Sequence, residues 1–158
     1  MNPGCWRGWA RGHLMTVDKQ ELTQLDAIPG NEFAILLVDD NALQAASRQA
    51  ILQRAGYSVL IALDPAIALK QLRYDDFPEP IGAIITDHVM PEMSGAEFVR
   101  ELRRSHAGMP VMVLSGLDEA EREYAGMNVR FLLKPLAPGL LLANLRTLLQ
   151  AEVVEGVA

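Results

Sequence analysis

Twice in this chain an apolar run of strand length stops at an aspartate. Ala34-Ile35-Leu36-Leu37-Val38 runs into Asp39-Asp40, and Ala83-Ile84-Ile85-Thr86 runs into Asp87. A strand with one wet face alternates apolar and polar residues, whereas a continuous apolar run needs cover on both faces. Runs of this kind suit the middle of a parallel sheet. The aspartates that end them then stand where the connecting loops begin.

The segments between and after these runs supply the cover. Asn41 to Ala55 has helical spacing, with Ala42, Ala45, Ala46 and Leu52 available for a buried stripe and Gly56 to close the helix. Ser58 to Ala62 is a second, shorter strand. Asp64 is suited to cap the next helix, with Pro65 at its first position, and that helix runs to about Tyr74. After Asp87 and the turn Pro91-Glu92-Met93, Ser94 begins a helix, and Ser94 and Glu97 have the spacing of a capping box. Pro110 to Leu114 is a fourth strand ending at Ser115. Arg130 to Leu133 is a fifth, ending at Lys134-Pro135, and Pro138 to Ala151 is a final amphipathic helix. Strands alternating with helices predict an α/β domain, a doubly wound five-stranded parallel sheet flanked by helices.

In such folds ligands gather at the carboxyl ends of the strands. Those ends carry Asp39, Asp40, Asp87, Ser115 and Lys134. Two carboxylates about 5 Å apart repel by about 3 kcal/mol at an effective dielectric near 20. Three together retain a proton or bind a cation. Oxygen-only ligands at a solvent-facing edge suit a hard divalent ion such as Mg2+, which takes one or two carboxylates and keeps several waters. Lys134 offsets only part of the charge. A carboxylate can also attack phosphorus and form an acyl phosphate. Phosphoryl transfer then asks for positioning and for neutralisation of three equatorial oxygens. Mg2+, the Lys134 ammonium, and the Ser115 hydroxyl with nearby backbone N–H groups match that demand.

These residues also carry a resemblance. Leu37-Val38-Asp39-Asp40-Asn41 is similar to the first-strand acidic pair of response-regulator receiver domains. Asp87-His88-Val89-Met90-Pro91-Glu92-Met93-Ser94-Gly95 resembles their phosphorylation-site pattern, D-x-x-M-P-x-M-x-G. Val113-Leu114-Ser115-Gly116 and Phe131-Leu132-Leu133-Lys134-Pro135 resemble their fourth- and fifth-strand motifs. The resemblance spans about residues 33–152 and implies the flavodoxin-like receiver fold. It implies Asp87 as phosphoacceptor, with Asp39, Asp40, Asp87 and the backbone carbonyl of Val89 as ligands of Mg2+. It implies that Ser115 and Lys134 bind the phosphoryl group, that Phe131 is the switch aromatic, and that the Lys134–Pro135 bond is cis. The implied partners are a sensor histidine kinase or histidine phosphotransfer protein, and a downstream effector protein. In such a role the chain is no enzyme beyond its own Mg2+-dependent phosphoryl transfer and dephosphorylation.

Some features depart from the family pattern. His88 and Gly116 replace residues that are commonly apolar and Ala. The stretch from Ser115 to Lys134 is short, which predicts a short or irregular fourth helix around Asp118 to Tyr124. Val89 and Leu117 are apolar beside the phosphate position. Neither can orient a hydrolytic water, which predicts a long-lived acyl phosphate.

Other readings compete. A haloacid-dehalogenase-type phosphatase needs a second aspartate where Val89 stands. A flavodoxin-like binder of flavin mononucleotide needs a first loop that cradles phosphate, which Asp39-Asp40 repels. A pseudo-receiver, acting only as an interaction module, leaves the filled phosphorylation positions unexplained.

The remaining sequence bounds the context. The net charge is −6, which argues against a nucleic-acid partner bound through phosphates. Cys5 is the single cysteine, so no intrachain disulfide forms. No apolar run approaches the roughly 20 residues of a membrane helix, and Met1 to Met15 has no apolar core of a secretory signal. The expectation is a cytoplasmic chain without membrane contact. Residues 1–32 read as a partly flexible extension with Trp6 and Trp9 among polar neighbours, 33–152 as the domain, and 153–158 as a tail. No second core fits after Ala151; as a complete chain the domain is expected to act through protein contacts like stand-alone regulators, and as a fragment it is expected to be the receiver of a hybrid kinase.

Overall fold

The structure, a computed structural model, describes residues 32–157, with side chains as far as Ala151. The expectations for Cys5, Trp6, Trp9 and the extension over residues 1–31 fall outside the described residues. Ten elements follow one another: β1 (Ala34–Val38), α1 (Ala42–Arg54), β2 (Ser58–Ala62), α2 (Pro65–Arg73), β3 (Ile81–Asp87), α3 (Gly95–Ser105), β4 (Val111–Ser115), a 3-10 segment (Asp118–Tyr124), β5 (Arg130–Leu133) and α4 (Pro138–Val157). The strands form one parallel sheet in the order β2-β1-β3-β4-β5.

The burial explains the apolar runs. All five residues of β1 and all five of β4 are buried, as are the last five of β3. The edge strands β2 and β5 are only part-buried. Alternate side chains serve two cores. Leu36, Val38, Ile84, Val111 and Val113 face Ala68 and Leu72 of α2 and Phe98, Val99 and Leu102 of α3. Ile35, Leu37, Ala83, Ile85, Met112 and Leu114 face Leu52 of α1 and Leu141, Leu145 and Leu149 of α4. The expected doubly wound α/β sheet is therefore present.

Local chemistry sets the helix ends. Asn41, not Asp39 or Asp40, caps α1, and its side chain accepts from Leu43 and Gln44 N–H. Asp64 caps α2 ahead of Pro65. Ser94 and Glu97 form the expected capping box on α3. Gly56 ends α1 with φ 96°, a left-handed conformation that suits glycine.

Two expectations need correction. Ala42 and Ala46 are exposed; the inward stripe of α1 is Ala45, Arg48, Gln49 and Leu52. Stacking at i, i+3 and i+7 fits 45, 48 and 52, not 42 and 46. The short connection before β5 winds as a 3-10 segment over Asp118–Tyr124, the short fourth helix that its length implied. The last helix continues to Val157, through most of the stretch expected to be a tail.

Phe98 is fully buried between α3 and the sheet. Phe98→Ala is expected to cost about 3–5 kcal/mol, the usual range for emptying a tightly packed aromatic site. Urea unfolding followed by circular dichroism measures it; a loss below about 1 kcal/mol would mean that the site collapses around the cavity.

Candidate functional site

Strand register brings the polar residues together. Asp87 pairs in register with Leu114, and Ser115 with Leu133, directly before Lys134. Backbone bonds continue past the strand ends, from His88 N to Leu114 O (2.9 Å) and from Lys134 N to Ser115 O (2.8 Å). Asp39 N donates to Ala62 O across the β1–β2 end (3.1 Å). The acids, the hydroxyl and the amine therefore stand on one edge, as strand alternation predicted.

Asp39, Asp40 and Asp87 each present a carboxylate oxygen within 4.8 Å of the others'. Asp39 and Asp87 are buried and Asp40 is exposed. Lys134 Nζ is in ion-pair contact with Asp87 Oδ1. That oxygen is buried and makes no hydrogen bond of good geometry; what faces it is charge. The hard oxygen donor set, open on the Asp40 side, fits a divalent cation such as Mg2+.

Burial raises the Asp39 carboxyl above its ordinary value, and the Asp87 charge pushes the same way. The Asn41 N–H at 2.9 Å and the cations Arg48 and Lys134 oppose the rise without cancelling it.

Ser115 is buried, and its hydroxyl is tied into the next turn. It accepts from Leu117 N–H (3.0 Å) and donates to Leu117 O (3.1 Å). A Cβ added to Gly116 would meet nothing within 4 Å, so the approach beside Ser115 is open. Val89 and Leu117, at the site's rim, are exposed. The Lys134–Pro135 bond is cis.

Gly95 has a clear physical cause. A Cβ there would stand 2.5 Å from Asp87 O and 2.6 Å from the Tyr124 hydroxyl, and Gly95 N already donates to His88 O at 2.7 Å. Only glycine lets α3 start this close to the end of β3.

Two features escaped the sequence reading. His88 is buried, and its Nδ1 is hydrogen-bonded to the Tyr124 hydroxyl at 2.6 Å. Burial, then the charges of Glu123 and Asp87, raises the Tyr124 phenol, so the hydroxyl stays protonated. The Tyr124 ring in turn meets half-buried Phe131, with centroids 5.8 Å apart. The second feature is Arg48, whose Nη1 lies 2.5 Å from Asp39 Oδ2 and whose Nη2 lies 3.8 Å from Asp87 Oδ1. For Arg48 the spacing points inward, at i+3 after Ala45 on the stripe that Leu52 completes, while its polarity points outward. For Tyr124 there was no signal, because the short loop hid which residue would turn inward.

Comparisons with known proteins agree with this geometry. A family model described as response regulator receiver domain matches residues 35–146. "Response regulator MprA" of Mycobacterium bovis is 35% identical over 127 residues, covering 78% of this chain and 54% of the relative. The chain thus spans about half the length of the curated relatives it matches. Among solved structures, the chemotaxis protein CheY4 of Vibrio cholerae is 30% identical with a TM-score of 0.65, covering 73% of this chain and 98% of that one. A CheY-like receiver domain protein from Methanospirillum hungatei is 25% identical with a TM-score of 0.70, covering 78% and 98%. Among the described residues no helix is long and apolar enough to cross a membrane.

The raised Asp39 carboxyl makes a signed prediction for stability. The folded chain holds this proton to higher pH than the unfolded chain does. Between the ordinary value of 3.8 and the raised one the native state binds more protons, so stability falls as pH rises through that window. In metal-free buffer, Asp39→Asn is expected to flatten this slope and to melt above the parent at neutral pH. Thermal melts across the acid range test it, and an unchanged slope would assign the pH dependence to other groups.

Proposed function

This chain belongs to the response-regulator receiver family, and on that premise we propose that Asp87 is its phosphoacceptor. The domain is a signalling module of two-component systems, not a turnover enzyme. The observation that carries the assignment is the Lys134–Asp87 pair beside Asp39 and Asp40, with Asp87 Oδ1 buried against the Lys134 ammonium.

Each side chain has work in this chemistry. An Asp87 oxygen attacks the phosphorus of a phosphohistidine donor; the new O–P bond forms as the N–P bond breaks, and the electron pair leaves on the imidazole. Asp39, Asp40, Asp87 and the Val89 carbonyl are the proposed holders of Mg2+, which supplies positive charge to the phosphoryl oxygens when bound. Lys134 neutralises the Asp87 side of the pocket before and after transfer. The Ser115 hydroxyl exchanges its bonds with Leu117 for a phosphoryl oxygen. That exchange loosens the turn at Leu117 and lets Phe131 move inward against Tyr124.

The donor is a sensor histidine kinase or histidine phosphotransfer protein, and the output is an effector protein met through the changed surface. The acidic balance supports a protein partner and no nucleic acid for residues 33–152. Residues 1–32 are proposed as an extension of this domain, and the cytoplasm as its compartment.

Incubation with acetyl phosphate and Mg2+ is expected to add the mass of one phosphoryl group to the intact chain. Asp87→Asn is expected to abolish the addition, and Lys134→Ala to slow it about 100-fold or more, the usual scale for losing one charge stabiliser of a transition state. Labelling that persists in Asp87→Asn would end the assignment.

The exposed, apolar Val89 and Leu117 carry a further expectation. Neither holds a water in line with the acyl phosphate, so its half-life should be minutes or longer. Val89→Asn or Leu117→Glu should shorten it. A time course of phosphate release that finishes within seconds in the parent contradicts this.

A further inference from the structure

Arg48 is the one member of the pocket that the chemistry above leaves without a role. It stands two turns into α1, on the stripe completed by Ala45 and Leu52, where an aliphatic residue would pack. Its side chain is only 16% exposed. A long basic side chain ordinarily keeps its head in water, and withdrawing it costs hydration and rotamer freedom. The guanidinium is held here by Asp39 and Asp87, the same two buried carboxylates proposed to bind the metal.

The contacts conflict with a divalent ion. Both oxygens of Asp39 are engaged, Oδ1 by the Asn41 N–H and Oδ2 by Arg48 Nη1. Arg48 Nη2 lies 3.8 Å from Asp87 Oδ1. A cation drawing on Asp39 and Asp87 meets a fixed positive charge a few ångströms away, in surroundings that screen it poorly. The guanidinium does not relieve the conflict by losing its proton. It does have somewhere to go. A cleft of about 380 Å³ lies beside it, lined by Gln44, Arg48, Ile51, Lys134 and Leu136 among others.

We infer that Arg48 is a built-in competitor of the divalent cation. It neutralises Asp39 and Asp87 while the metal is away, releases Asp39 Oδ2 and turns into the cleft when the metal arrives, and so sets how much Mg2+ the site needs. This rests on the reading of the acidic pocket as a magnesium site. It makes Arg48 a positioning residue whose removal improves one property, metal affinity, while impairing another, stability without metal.

The test uses the full chain with Mn2+ as probe, and free Mn2+ is read by electron paramagnetic resonance. Arg48→Gln keeps a shorter polar side chain without the charge, and Arg48→Lys keeps the charge. Arg48→Gln is expected to bind Mn2+ about tenfold more tightly than the parent, and Arg48→Lys within about threefold of it. A residue that merely props up the fold would give weaker binding in both. Thermal melting supplies a second readout. Arg48→Gln should melt below the parent without metal and gain more from saturating Mn2+. If it unfolds without metal, Mn2+ should restore the fold.

Equal or weaker Mn2+ binding by Arg48→Gln overturns the inference. If neither the parent nor Arg48→Gln binds Mn2+, the magnesium-site reading falls and the inference falls with it. If the affinities shift as expected but Asp87 takes no phosphoryl group, the competition stands and the phosphoacceptor assignment falls.

Discussion

The burial of two carboxylates beside a third is the constraint around which this site is arranged. A parallel sheet with helices on both faces sends its loops out from one edge, and the loops after β1 and β3 begin with Asp39, Asp40 and Asp87. Folding therefore concentrates negative charge whether or not a cation is at hand. Three polar contacts nearby oppose its cost. The Asn41 N–H turns towards Asp39, Arg48 reaches in from α1, and Lys134 reaches in from the end of β5. These responses are incomplete, because burial still raises the Asp39 carboxyl above its ordinary value. An incompletely compensated buried site is poised to take up positive charge.

The sheet was legible in the sequence because its central strands announce themselves. Ala34–Val38 is apolar at every position, and the structure buries every position, with Leu36 and Val38 on one core and Ile35 and Leu37 on the other. The residues that end each strand were legible for the same reason, since strand order alone gathers them. Helix ends were legible where capping chemistry is local, as at Asp64 and at Ser94 with Glu97. The α1 face was not, because alanine fits either side of a helix and carries little information about which side is buried. Arg48 was passed over because helical spacing sorts residues by polarity, and a buried arginine violates the sort. What placed it inward was a charge supplied by residues from β1 and β3, a tertiary effect.

Gly95 shows how a motif position acquires its physical reason only in three dimensions. In the sequence it is the last letter of a pattern. In the structure, the start of α3 touches the backbone of Asp87 and the hydroxyl of Tyr124 too closely for any Cβ. The capping box at Ser94 and Glu97 fixes where the helix begins, and the missing side chain at Gly95 lets that beginning rest on the end of β3. The backbone that carries Asp87 is thus held from the α3 side by packing and from the β4 side by the His88–Leu114 bond.

The 3-10 segment completes this picture and bears on how a signal could leave the site. A 3-10 winding rises about 2.0 Å per residue against about 1.5 Å for an α-helix. Asp118–Tyr124 therefore covers about 14 Å, so a short connection can still cross the layer between β4 and β5. Such windings are less stable than an α-helix of equal length, and this one is anchored by Ala120 and Tyr124, its two buried residues. Tyr124 bonds to His88, the neighbour of Asp87, and its ring meets Phe131. On the proposed chemistry, a shift of the backbone at Asp87 and a turn of Phe131 both act on the same tyrosine. The i→i+3 hydrogen bonds of such a winding have poorer geometry than those of an α-helix, so a displacement that a full helix would absorb can pass through Tyr124 to the acidic surface of Asp118, Glu119 and Glu121.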